Sequence, residues 1–184
     1  MRSTGDRELD EQLVRFGENM RHARREAELS QIDLSHRASL DRAAVSFLER
    51  AERAPDLSTI VRVAGAVGVK PAALLRGIGP ADCPARGPRS SGEELSPAAR
   101  FGVNLRWARE RTGISQEALA NDAHVDRAAI SVFERGKRNP NLRTLLRLAR
   151  ALELPPGVLL RGVEPAVARR PALLGPATRG PAPR

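Results

Sequence analysis

Two short stretches carry the residue types best suited to chemistry on a partner molecule. Asp41-Arg42-Ala43-Ala44 and Asp126-Arg127-Ala128-Ala129 are the same four residues, 85 positions apart. An arginine fork matches the O6 and N7 acceptors of guanine, and such a bidentate pair gives about 1–3 kcal/mol of discrimination between bases. Ala43 and Ala128 can touch a thymine methyl but donate no hydrogen bond. Ser46 and Ser131, one helical turn further on, suit a base or phosphate contact. An ion pair with the neighbouring aspartate is the competing use of Arg42 and Arg127. Phe47 and Val132 suit thymine methyls or a protein-facing patch equally well.

Bond-making chemistry is not assembled anywhere in the chain. His22, His36 and His124 are scattered, with no Cys, Asp or Glu at metal-ligand spacing. There is no phosphate-binding glycine loop and no nucleophile with a base beside it. An enzyme is therefore not expected, and no cofactor, metal or small-molecule ligand is evident. Cys83 is the single cysteine and can form no internal disulfide. The net charge of +9 is carried almost wholly by arginine and favours a polyanionic partner. No stretch approaches the roughly 18 apolar residues of a membrane span, and the first dozen residues have no apolar signal core. A cytoplasmic location is expected.

The two arginine stretches belong to a longer repetition. Residues 15–78 align without a gap on residues 100–163, with nearly half the positions identical. The unit is long enough to be a small domain with its own core. Residues 9–78 and 96–163 are read as two domains, 79–95 as a Pro/Gly/Ser-rich linker, and 164–184 as a disordered basic tail carrying Arg169, Arg170, Arg179 and Arg184.

Each unit reads as five short helices. In the second copy Ser96-Pro97 opens a helix that Gly113 ends as a left-handed cap. Phe101, Leu105, Ala108 and Thr112 follow at helical spacing. Ser115 caps Gln116–Ala123, with Leu119, Ala120 and Ala123 inward. His124-Val125 is a tight turn, and Asp126 caps a helix to about Arg135 with Ile130 and Phe133 inward. Asn141 caps a fourth helix striped by Leu142, Leu145, Leu146, Ala149 and Leu152, and Pro155-Pro156 opens a fifth. The first copy follows the same plan near Leu9–Glu28, Gln31–Ala38, Arg42–Arg50, Leu57–Val67 and Pro71–Leu75.

Gln31 and Gln116 open the second helix of each unit, where a side-chain amide and free backbone N–H groups can meet a phosphate. The loops after the third helices differ. Gly136-Lys137-Arg138-Asn139 offers a glycine cap and three phosphate-contacting side chains, whereas Ala51-Glu52-Arg53-Ala54 keeps Arg53 but sets Glu52 against phosphate. Repeat two is therefore expected to be the stronger binder.

Ser-Gln-Glu-x-Leu-Ala at 115–120, then Ile130-Ser131, Glu134-Arg135-Gly136, Arg138, Pro140 and a Leu-rich helix resemble the helix-turn-helix of the phage-repressor and Cro-like (XRE) family. The resemblance covers both repeats, about two thirds of the chain. It implies an all-α fold of two lambda-repressor-like five-helix domains in tandem, with the third helix of each in the DNA major groove. It implies phosphate contact at Gln31 and Gln116 and base reading at Arg42 and Arg127. Phe47 and Val132 depart from a position that is usually polar in the family. It also implies partly buried ion pairs, Arg24 with Glu49 and Arg109 with Glu134, tying first helix to third.

The expected function is a sequence-specific, DNA-binding transcriptional regulator contacting double-stranded DNA. The contact set is Gln31, Arg42, Ala43, Ser46 and Arg53 in repeat one, and Gln116, Arg127, Ala128, Ser131, Lys137, Arg138 and Asn139 in repeat two. The alternative is a protein-interaction module, antitoxin-like or adaptor, using the same fold as a scaffold. A protein partner or self-association stays open, as do operator, half-site arrangement and sign of regulation. A flexible linker of this length would span about 25 Å on average, within reach of half-sites one helical turn apart.

Overall fold

The structure is a computed structural model that describes residues 4–80 and 95–164. Repeat one contributes α1 (Thr4–Glu26), α2 (Gln31–Arg37), α3 (Arg42–Glu49), α4 (Leu57–Ala66) and a 3-10 helix, Pro71–Leu75. Repeat two contributes α5 (Pro97–Thr112), α6 (Gln116–Asp122), α7 (Arg127–Glu134), α8 (Leu142–Ala151) and α9 (Pro156–Leu159). The fold is all-helical, as expected. The linker residues 81–94, with Cys83, and the tail from 165 on lie outside the described residues.

Local chemistry sets most of these boundaries. Ser30, Asp56, Ser96, Ser115, Asp126 and Asn141 each accept a backbone N–H from the first turn of the helix they open. Asp41 occupies the same cap position before α3 but makes no side-chain cap bond. Gly113 ends α5 at φ 71°, and His124 holds the turn before α7 at φ 50°. Of the residues at helical spacing on α5, Phe101, Leu105 and Ala108 are buried. Thr112 is exposed, its hydroxyl donating to the Arg109 carbonyl at 2.9 Å.

α1 begins at Thr4 rather than near Leu9. The extension has no counterpart in α5, so comparing the repeats could not reveal it. Its partners are on the other repeat: Asp10 meets Arg143 at 2.7 Å, Glu8 meets Arg150 at 3.6 Å and Asp6 meets Arg147 at 3.9 Å. These are part-exposed pairs, each contributing at most about 1 kcal/mol. Leu9 and Leu13 on the same helix are buried.

The repeats pack directly on one another, so the interface rather than the linker sets their spacing. α1 lies against α8, α4 against α5, and the 3-10 helix against α9. Each contact is matched by its equivalent from the other repeat, or is its own equivalent. At the centre Asp56 and Asn141 form an antiparallel bridge. The Leu57 amide donates to the Pro140 carbonyl at 2.9 Å, and the Leu142 amide to the Pro55 carbonyl at 2.7 Å. These reciprocal bonds define an internal two-fold axis, the arrangement of an isologous dimer within one chain. Buried residues of both repeats join one apolar cluster.

Candidate nucleic-acid interface

α3 and α7 are amphipathic for the same reason. Val45, Leu48 and Glu49 turn inward on α3, leaving Arg42, Ala43, Phe47 and Arg50 exposed and Ser46 half-buried. On α7 Ile130 and Phe133 turn inward, while Arg127, Ala128 and Arg135 are exposed and Ser131 and Val132 half-buried. Residues 42, 43, 46, 47 and 50 recur at helical spacing, so they form one continuous outward edge. Neither Arg42 nor Arg127 pairs with its neighbouring aspartate or with any other described residue. Both guanidinium groups are available to a partner.

A buried glutamate fixes the angle at which each edge is presented. Glu49 accepts from Arg24 at 2.6 and 3.3 Å and from the Gln31 amide at 2.9 Å, with Arg21 at 3.5 Å. Glu134 accepts from Arg109 at 2.6 and 3.1 Å and from Gln116 at 2.7 Å. Both arginines also donate onward, Arg24 to the Leu29 carbonyl at 2.6 Å and Arg109 to Ile114 at 3.1 Å. First helix, second-helix start and third helix are thus tied at one carboxylate. Burial pushes the Glu49 carboxyl up, but hydrogen bonds from Arg24 and Gln31 and the Arg24 and Arg21 charges outweigh it, leaving the group below its ordinary range. The bond to Glu134 raises the affinity of Arg109 for its proton despite partial burial.

The two glutamines are expected at phosphate; in the structure their amide nitrogens donate to the buried carboxylates of Glu49 and Glu134. Their amides brace the ion pair in this structure. Arg53, Lys137 and Arg138 are exposed on the loops after α3 and α7. Asn139 is half-buried, and its Oδ1 is buried without a hydrogen-bond partner. Gly136 takes φ 66° and Ala51 φ 59°, so repeat one holds an alanine in a conformation that favours glycine. Glu52 is occupied, pairing with Arg50 at 2.5 Å.

Two pairs of supporting residues escaped the sequence reading, although both are identical in the two copies. Asn19 donates to the Leu74 and Arg76 carbonyls at 3.0 and 2.9 Å, and Asn104 to Leu159 and Arg161 at 3.0 and 2.8 Å. Each holds the last helix of its repeat against the first. At Gly17 an added Cβ would stand 2.7 Å from the Glu49 carbonyl oxygen, and at Gly102 it would run into those of Phe133 and Glu134. These glycines let α1 and α5 approach the backbone of α3 and α7. A polar residue and a glycine repeated within otherwise apolar stripes were the available signals. Trp107 is half-buried against the core, with the Arg111 guanidinium 5.4 Å from its ring centroid.

Among the described residues no group of three His, Cys, Asp or Glu could hold a metal ion, and no helix is long and apolar enough to cross a membrane. A cleft of about 1110 Å³ follows the seam between repeats, beside Glu8, Asp10, Val14, Ile78 and Leu146. None of the expected contact residues lines it.

Comparison with known proteins returns the same repeated unit. The helix-turn-helix family model matches residues 20–74 and again residues 105–159. Repressor protein C2 of Salmonella phage P22 is 39% identical over 62 residues, 34% of this chain and 29% of its own length. The immunity repressor protein of Bacillus phage phi105 is 36% identical over 59 residues, 32% of this chain and 41% of its own. The chain thus spans well under half the length of either repressor. Among solved structures, the restriction-modification controller protein C.AhdI from Aeromonas hydrophila is 42% identical. It is matched over 34% of this chain and 94% of its own, with a TM-score of 0.33.

Proposed function

This chain belongs to the helix-turn-helix family, and on that premise we propose that it is a sequence-specific, DNA-binding transcriptional regulator whose two repeats read one operator together. The third helix of each repeat, α3 or α7, enters the major groove. Arg42 and Arg127 reach for guanine, Ala43 and Ala128 approach thymine methyls, and Ser46 and Ser131 complete the edge. Arg53, Lys137, Arg138 and Asn139 hold the backbone, and Gln31 and Gln116 position the reading helices. The observation that carries this reading is the internal two-fold axis through Asp56 and Asn141, which relates the two reading edges within one chain. Two-fold protein symmetry is matched by operator pseudo-palindromy, so the half-sites are inverted and about one helical turn apart. A regulator bound there would act by blocking or recruiting polymerase.

Selection of bound duplexes from random DNA, with the whole chain and with Arg127→Ala, tests this. The expected product is an inverted pair of related half-sites, and Arg127→Ala should relax one position in one of them. Absence of any enrichment at low salt would overturn it. That outcome fits the second reading, a protein-interaction scaffold, which draws on the exposed Phe47.

A further inference from the structure

The two reading edges are identical at their first turn and diverge at their second. Phe47 on α3 is 38% exposed, one of few large apolar side chains the described surface leaves open. Ala43 lies four residues before it and is its neighbour on the helix surface. The Arg50 guanidinium lies over the Phe47 ring, 5.4 Å from its centroid. Arg50 is held there by Glu52 at 2.5 Å and 3.2 Å and by the Ser46 hydroxyl oxygen at 2.7 Å. This network draws Arg50 toward Glu52 and Ser46 and leaves Ser46 chiefly its own O–H to offer a base.

Repeat two has no equivalent arrangement. Val132 is smaller and half-buried, and Lys137 stands where repeat one has Glu52. No described residue engages the Ser131 hydroxyl as Arg50 engages Ser46. The α7 edge keeps its polar groups, while the α3 edge presents an apolar ledge of Ala43 and Phe47 beside a single unpaired cation, Arg42.

We propose that Phe47 is a specificity-determining residue through which repeat one reads thymine by its 5-methyl group, making the two half-sites chemically unequal. This rests on the DNA-reading role proposed above. In the major groove thymine is the base pair member that offers a methyl, so an apolar ledge there selects it without a hydrogen bond. Repeat two reads its half-site mainly through polar contacts. The difference between the repeats is then a difference of readout.

The test is a cycle between thymine→uracil substitution and Phe47→Ala, using the duplex selected by the whole chain. Deoxyuridine removes the methyl and leaves base pairing intact. Replacing thymines in one half-site should weaken binding of the wild-type chain by about fourfold per buried methyl lost. Phe47→Ala should lose most of that penalty, keeping only the part that Ala43 supplies. Phe47→Gln should change the base preferred at that position, showing that the variant folds and that the position faces the base. Wild-type binding indifferent to uracil, or a uracil penalty undiminished in Phe47→Ala, overturns the proposal while leaving the DNA-binding role standing. Unchanged operator affinity in Phe47→Ala also overturns it and points Phe47 toward a protein. Loss of all DNA binding by the wild-type chain removes the underlying reading instead.

Discussion

Asp56 and Asn141 face one another across the antiparallel bridge at the centre of the molecule, and each is the other's equivalent in its own repeat. Each also caps its helix, Asp56 accepting from the Thr59 amide at 2.8 Å and Asn141 from Thr144 at 2.8 Å. The bridge is flanked by the two reciprocal bonds rather than making them, the closely approached kind of antiparallel pair. With aspartate in both copies, two carboxylates would oppose one another on the axis. Asn141→Asp preserves a good cap but creates that opposition. Stability should fall by about 0.2–1 kcal/mol at low salt and recover as salt is added. Urea melts at two salt concentrations measure this, and equal stability at low salt would show that the caps hold the two groups apart.

The carboxylates at the helix junctions should behave as buried partners of a desolvated pair. Glu134→Ala leaves Arg109, mostly buried, without its carboxylate, and should cost about 3–5 kcal/mol. Arg109→Met added to Glu134→Ala should restore part of that loss, because it removes the uncompensated charge. A double variant no more stable than the single one contradicts this account.

Glycine substitutions separate close approach from backbone conformation. Gly102→Ala drives a Cβ into backbone carbonyls and should cost about 1–3 kcal/mol. Gly113→Ala meets open space but must hold φ 71°, and should cost nearer 1 kcal/mol. Gly17→Ala should resemble Gly102→Ala. Thermal unfolding that ranks Gly113→Ala worst would mean that the helices can part cheaply.

Acid should weaken the fold through carboxylates whose folded-state affinity for protons is lowered. For Glu49, burial is outweighed by its arginine and glutamine bonds. For Asp56, burial is outweighed by bonds from Thr59 and Ser58. A lowered folded value means the unfolded chain binds more protons, so stability rises with pH in this range. The contribution is complete above the unfolded carboxylate value of about 4 and is lost as pH falls through the folded values. Denaturation midpoints should be flat near neutral pH and decline below about pH 4.5. Glu49→Gln should flatten that decline, and a slope unchanged in this variant would place the titration elsewhere.

The loops after α3 and α7 should differ in salt dependence. Lys137→Ala and Arg138→Ala should each reduce the slope of log affinity against log salt by about one, with little change in sequence preference. Glu52→Lys, which frees Arg50 and adds a cation, should strengthen binding and steepen the slope. A slope insensitive to all three variants would place the phosphate contacts outside these loops.

Much of the fold was legible in the sequence because its determinants are local. A cap and the amide it accepts are two or three residues apart, and the stripe Leu142, Leu145, Leu146, Ala149 repeats within three turns. Arg42 and Arg127 stood out because the chain repeats them at the exposed start of a helix. The implied Arg24–Glu49 and Arg109–Glu134 pairs form as well.

What tertiary structure alone decided involves groups far apart in the chain. Gln31 and Glu49 are 18 residues apart, so only folding could show that the amide meets a carboxylate before any phosphate. Gly17 is recognisably needed only when the backbone of α3 lies against it. The α1 extension has its partners on α8, 133 residues from Asp10 at Arg143. The duplication announced two similar units, but a repeat carries no record of how its copies face one another. That orientation rests on helix contacts between the repeats, α1 on α8, α4 on α5 and the 3-10 helix on α9, and on two backbone bonds across the Asp56–Asn141 bridge, which use no side chain and so leave no trace in residue type.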